Sequence, residues 1–290
     1  MRNRFQRCAV RSILTIPLAS FLLSPSIALA GPLGSAVSFA VLGGATVTDI
    51  GLNTIKGNLG LSGLSISGSG TIAITGTEHF NDTAAQTALT DAANAYSTLA
   101  ALTVTQNETG TNLGGLTLTP GVYSFDATAA LTTGTTPTLT LDAGNNLNAV
   151  FVFKIVTTLD TAAGSVVKVI NGNAGTEVFW LVGSSATLGA SSTFVGNIIA
   201  LASIGVGTNA TICGRTLAQN ATMTVTLDTN TVADACSAPS ALNSGLGDFG
   251  SLGFAGNTEE SVPETGTVPL LCLGLLALTL YGWQSRKRVA

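Results

Sequence analysis

The chain has 290 residues, 46% of them hydrophobic and only 9% charged, with a single His and four Cys. Its 15 acids outnumber its 11 bases, a balance that argues against nucleic acid and anionic lipid surfaces as partners. The length suits one large all-β domain, and one isolated histidine offers no spacing for a metal.

Residues 1–30 read as a signal peptide. Arg2, Arg4, Arg7 and Arg11 form a basic n-region, an apolar run follows, and Ala28-Leu29-Ala30 has the form of a cleavage site. The mature chain then starts near Gly31, and residues 31–236 form the folded domain. In it the bases are Lys56, Lys154, Lys168 and Arg215.

Thr54-Ile55-Lys56-Gly57-Asn58 introduces a pattern of Thr, apolar, any, Gly, polar. Strand side chains alternate, so the Thr points outward and the apolar residue inward. The Gly permits a corner that other residues resist. A helix is expected over about 81–102: Asn81 to Leu102 contains no Gly, Pro, Val or Ile. Within it Ala85, Leu89, Ala92, Tyr96 and Leu99 share one face. Asn81 or Asp82 caps its start. The single histidine, His79, just precedes it and reads as a polar loop residue. From Thr103 to Glu177 the chain is strand and turn, and Val150-Phe151-Val152-Phe153 fits a buried strand.

Val178 to Val232 reads as three successive lines. Thr193-Phe194-Val195-Gly196-Asn197 and Thr211-Ile212-Cys213-Gly214-Arg215 repeat the pattern, and Thr224-Val225 opens a third copy with Leu227 in place of Gly. A repeat this short cannot bury its own apolar face, but stacked copies share one core. The expected fold is therefore a β-solenoid with one helix alongside. Its third line is expected to be terminal and the N-terminal coil to join the same stack. Thr54, Thr193, Thr211 and Thr224 are expected in one outward row, over inward Ile55, Phe194, Ile212 and Val225. Ser191, Thr208, Asn209 and Thr222 lie beside that row.

Cys213 stands at the variable position of a corner and Cys236 follows the last coil. Pairing of the two fits an oxidising compartment. Residues 237–261 are a Gly- and Ser-rich linker. Residues 262–290 combine Val262-Pro263-Glu264-Thr265-Gly266, an apolar run and the basic Arg286, Lys287 and Arg288. This tail resembles the PEP-CTERM class of signals read by exosortases, with Thr265 where a second Pro is usual. It is also similar to the LPxTG signal of sortases, with Val262 in place of Leu. Either resemblance implies export, with the membrane met only transiently through this segment.

No G-x-S-x-G, P-loop or G-x-G-x-x-G context occurs. Asp126, Asp142, Asp160 and Asp228 read as turn and strand-end residues, so the chain is not expected to be an enzyme. Thr and Ser on a flat sheet form a stiff lattice of hydroxyls and methyls, with strands about 4.8 Å apart. From Leu33 to Val232 the chain resembles the DUF3494-type ice-binding proteins. The resemblance is carried by Gly34-Ser35-Ala36-Val37-Ser38-Phe39-Ala40-Val41-Leu42-Gly43-Gly44, Ile55-Lys56-Gly57-Asn58-Leu59-Gly60, Leu118-Thr119-Pro120-Gly121-Val122-Tyr123, Val178-Phe179-Trp180, Phe194-Val195-Gly196-Asn197-Ile198 and Leu227-Asp228-Thr229-Asn230-Thr231. It implies a right-handed, roughly triangular β-helix with the helix packed alongside, no cofactor, and adsorption to ice through one flat face. In some members that face carries a T-A/G-x-T/N motif. Here Thr208-Asn209-Ala210-Thr211 keeps both Thr, and Ala190-Ser191-Ser192-Thr193 keeps the last. The expected function is that of an exported protein that inhibits ice growth or recrystallisation. The alternatives are a cell-surface structural or adhesive solenoid and a glycan-active β-helix enzyme.

Overall fold

The computed structural model describes residues 31–173, 175–219 and 223–234. The leader, the linker, the C-terminal signal, Thr222 and Cys236 lie outside the described residues.

Short strands stack into three parallel sheets of nine, seven and eight strands, here the first, second and third faces. Inward and outward residues alternate as the pleat requires: Thr46–Ile50, Thr138–Asp142 and Thr224–Asp228 each bury every second residue. The inward set fills one lumen, where Tyr123, Phe153 and Trp180 stack in successive coils. Phe153 and Trp180 lie 3.9 Å apart between ring centroids. The Trp180 Nε1–H, buried with the ring, donates to the Val195 carbonyl at 3.0 Å.

The glycines of the repeated corner, Gly57, Gly196 and Gly214, have φ of 127°, 115° and 141°. Conformation is only half of the requirement. A Cβ on Gly214 would lie 2.1 Å from the Gly196 carbonyl oxygen, so stacked corners approach too closely for any side chain. The polar residue after the glycine has a use as well. Asn197 and Arg215 are fully buried beneath the 3-10 turn Gly34–Ser38. Arg215 donates from Nε to the Val37 carbonyl at 2.8 Å and from Nη1 to Asn197 Oδ1 at 3.0 Å.

Along the first face the strand order is 78–80, 58–61, 39–43, 216–218, 197–200, 177–182, 150–155, 121–125, 106–107. The N-terminal coils thus stack beyond coil 216–233, and the chain must return to the far end before the remaining coils can be laid down. Eight strand spacings are roughly 38 Å. The 18-residue helix Thr83–Ala100 covers about 27 Å of that distance. It is two residues shorter at each end than the sequence reading, because Asn81 has φ 51° and Asp82 is the N-cap. Ala85, Ala88, Ala92, Ala95 and Leu99 form its buried face, while Leu89 and Tyr96 flank it half-buried. Opposite lie Val152, Phe179, Leu181, Ile199 and Leu217, the outward residues of the first face. That is why Glu177–Val182 is buried at every position.

Two expectations need correction. Coil 216–233 is not terminal, because Thr231–Ala233 pairs with Leu52–Lys56. Thr224 is not in the Thr54 row: Thr231 pairs with both Thr211 and Thr54, whereas Thr224 pairs with Thr46 on the second face. The fourth corner is spelled Thr231-Val232-Ala233-Asp234, with Asp where the pattern has Gly.

Candidate functional site

The helix covers the first face, so the second and third remain as broad surfaces. On the second face one outward row runs Thr128, Thr158, Ser185, Ser203, Thr224, Thr46. Every member is Ser or Thr. The row beside it runs Ala130, Asp160, Thr187, Gly205, Thr226, Thr48, Ser67. Hydroxyls bridge coils at both ends, with Thr128 and Thr158 Oγ1 2.9 Å apart and Thr48 Oγ1 3.0 Å from Ser67 Oγ. Beneath them Leu159, Ala186, Ile204, Val225 and Val47 are buried, which holds the sheet from behind. Neither row contains Lys or Arg, and Asp160 is the single charged member.

On the third face the corner-side row runs Thr138, Val166, Thr193, Thr211, Thr231, Thr54, Ala73. Thr193, Thr211 and Thr54 are brought together as expected, with Thr231 between the last two. The next row is less uniform. It holds Lys168 and Lys56 with Val195, Cys213 and Ala233 between them, and Val195 and Ala233 are 2% and 8% exposed despite their outward register. Cys213 is disulfide-bonded.

Ser191, Thr208 and Asn209 belong to neither face. Ser191 and Asn209 occupy the corner between them, with φ of 56° and 61°, and the Thr208 hydroxyl donates to Asp228 Oδ2. Thr208-Asn209-Ala210-Thr211 therefore wraps a corner, with Ala210 buried and Thr211 outward on the third face.

The acids divide in two. Asp142 accepts from the Gly144 N–H and Asn171 Nδ2, and these bonds, that from Asn171 foremost, hold its pKa below the usual carboxylate range. Asp228 binds the hydroxyls of Thr208 and Thr229 at the corner, and Asp126 accepts from Asn107 Nδ2 at 3.2 Å. These behave as the turn and loop residues expected. Asp160 does not: it lies in mid-strand, outward, between Ala130 and Thr187. His79 is not a loop residue but lies in the strand Glu78–Phe80, paired with Gly60; its Nδ1 is 2.7 Å from Asp82 Oδ2, and its ring packs on Phe39.

The second-face row carries a sequence signal of its own. Thr128-Ala-Ala-Leu, Ser185-Ala-Thr-Leu, Ser203-Ile-Gly-Val and Thr224-Val-Thr-Leu share the order Ser/Thr, apolar, any, apolar. This order and the Thr-apolar-x-Gly corner pattern overlap only at Thr224.

A sequence model described as ice-binding-like matches residues 41–233. The chain is 47% identical to an ice-binding protein of Nostoc sp. (strain HG1), over 76% of this chain and 80% of that one. Among solved structures it is similar to an ice-binding protein from the Antarctic ascomycete Antarctomyces psychrotrophicus, at 40% identity and TM-score 0.64, covering 70% of this chain and 98% of that one. The DUF3494 domain of Shewanella frigidimarina ice-binding protein 1 gives 29% identity and TM-score 0.63, covering 71% and 97% of the two chains.

Proposed function

The chain belongs to the ice-binding-like family, and on that premise we propose that it adsorbs to ice through its second face and so inhibits ice growth or recrystallisation. The observation that carries this reading is the row of Ser and Thr at one register position through Thr128, Thr158, Ser185, Ser203, Thr224 and Thr46. Strand spacing is fixed by backbone hydrogen bonds at about 4.8 Å, and alternate residues along a strand lie about 6.6 Å apart. Hydroxyls on that grid hold water at the spacing of the sheet, while Thr methyls and β-branched stiffness keep the grid flat and still. Contact is then a sum of many small matched terms with no ordering of side chains left to offset.

A second reading places the contact on the third face. It is favoured by the four consecutive threonines Thr193, Thr211, Thr231 and Thr54. Lys56 and Lys168 in the next row weigh against it, since long hydrated chains stand above a flat surface. The test is a bulky intruder on each face. Thr226→Tyr is expected to abolish most thermal hysteresis with a nearly unchanged melting curve, since the side chain faces outward and such changes cost about 0.5 kcal/mol. Thr211→Tyr is expected to cost little. The reverse result would move the ice contact to the third face and restore Thr54, Thr193 and Thr211 as the site.

Export completes the reading. It is supported by the leader-like residues 1–30, by the tail at 262–290 with the form of an exosortase or sortase substrate, and by a disulfide at Cys213, which suits an oxidising compartment. Processing would release the domain outside the cell or at its envelope.

A further inference from the structure

Three positions in the second row of this face are neither Ser nor Thr: Ala130 in the outermost coil, and Asp160 and Gly205 further in, and the fold requires neither of the last two. Asp160 sits in the strand Leu159–Thr161, exposed, with Leu159 and Thr161 buried on either side. Among the described residues no hydrogen bond or ion pair reaches its carboxylate, in contrast to Asp142 and Asp228, which hold turns together. The hydroxyl lattice also runs on past it, because Thr128 and Thr158 beside it are joined at 2.9 Å.

Gly205 is the second break. Its backbone is outside the left-handed region, and a Cβ built on it meets only the Ala186 carbonyl oxygen, at 4.0 Å. Gly207, two residues on, is different: its Cβ would lie 2.6 Å from the Ala190 nitrogen. Gly207 is therefore demanded by packing and Gly205 is not. In the row Asp160, Thr187, Gly205, Thr226, Thr48, a side chain at 205 would close the gap between two threonines.

We infer that Asp160 and Gly205 set how strongly this protein holds ice, Asp160 by interrupting the contact in the coil beyond Thr187 and Gly205 by leaving a gap further along the same row. This rests on the second-face reading. A carboxylate binds its own water tightly and in its own geometry, so ice cannot form against it without disturbing that shell. A glycine offers neither hydroxyl nor methyl. A row of weak contacts gains steeply when a missing member is supplied, because the other contacts already hold the surface in place.

The experiment uses the exported domain with Asp160→Thr, Gly205→Thr, both together, Asp160→Asn and Thr226→Tyr. Thermal hysteresis at fixed protein concentration is read against a melting curve for each. Asp160→Thr and Gly205→Thr are each expected to raise hysteresis roughly twofold, with a larger gain in the double variant. Asp160→Asn removes the charge at nearly constant size, and a smaller gain there separates charge from the added methyl. If Thr226→Tyr abolishes activity but neither Thr substitution raises it, with melting unchanged, this inference is overturned and the face stands. If Thr226→Tyr is harmless, the face is wrong and the inference falls with it.

Discussion

At the residue scale the corner between the second and third faces shows what a single position demands. Gly164, Ser191, Asn209, Thr229 and Gly51 stack there with φ of 68°, 56°, 61°, 54° and 75°. Each amide of Ser191, Asn209 and Thr229 donates to the next coil, to the carbonyls of Thr208, Asp228 and Ile50. The column cannot leave the left-handed region without breaking this ladder. Gly adopts that region freely and Asn tolerates it, but a β-branched residue pays about 1–2 kcal/mol. Thr229→Asn is therefore expected to raise stability by on the order of 0.5–1 kcal/mol in denaturant titration. A lower midpoint would show that the Thr229 hydroxyl bond to Asp228 outweighs the strain. The same geometry keeps Ser191 and Asn209, which the sequence places beside the row of Thr193 and Thr211, off that face. They recur at the right interval, but a positive φ turns them out of both planes, and φ is set by the neighbouring coils.

At the scale of elements the helix is the part most legible in the sequence. Its composition and spacing placed it, and Asp82 caps it by accepting from the Ala85 N–H at 2.8 Å. That backbone bond first, and His79 second, hold the Asp82 carboxyl below its ordinary value of 3.8. A depressed folded pKa gives a contribution that is present above the unfolded value and lost as pH falls through the folded one. Acidification from neutrality should thus leave the helix start intact until below about pH 4 and then fray it. Asp82→Asn keeps a capping oxygen, so it should retain most stability at pH 7 while losing this acid response. Asp82→Ala should lower the melting temperature at pH 7. Circular dichroism against pH checks all three, and an unchanged acid response in Asp82→Asn would assign it elsewhere. What the spacing did not settle was which stripe is buried. Alanines at 85, 88, 92 and 95 face inward because the first face presents large residues, Phe179, Leu181 and Ile199, and two bulky layers would not close.

At the scale of the molecule each coil touches only its neighbours, so stability is close to a sum of local terms and segments that lie outside the stack need fastening to it. Arg215 ties the 3-10 turn at Val37 to the coil of Asn197. Ser35 ties the same turn to the helix through Asp91 Oδ2, from its N–H at 2.7 Å. The disulfide at Cys213 is a third fastening. Pairing with Cys236 would close a loop whose chain-entropy contribution is about 3 kcal/mol. Peptide mapping of the native product is expected to yield one fragment joining 213 to 236 and an N-terminus near Gly31, and Cys213→Ser is expected to lose about 3 kcal/mol of stability in denaturant titration. Two free thiols in the native product would refute the pairing, and a retained leader would refute export.

The sequence by itself determined the architecture and its family. Alternation set the strands, an Ala-rich stretch free of β-branched Val and Ile set the helix, and the Thr-apolar-x-Gly corner set the stacking of coils 193–197, 211–215 and 54–58. These are local patterns, and each is dictated by the pleat or by a backbone angle. Only the tertiary structure decided which residues share a face. Stacked partners can be 18 residues apart, as Asn197 and Arg215 are, or 30, as Thr128 and Thr158 are. The N-terminal coils enter the stack after the last C-terminal one. With loops of unequal length, equal spacing in sequence no longer means equal position in space. That is why Thr224 lies in the row of Thr46 and not in that of Thr211, and why the recurring order of Ser/Thr, apolar, any, apolar, present in the sequence, becomes one ladder only through the pairing of the coils.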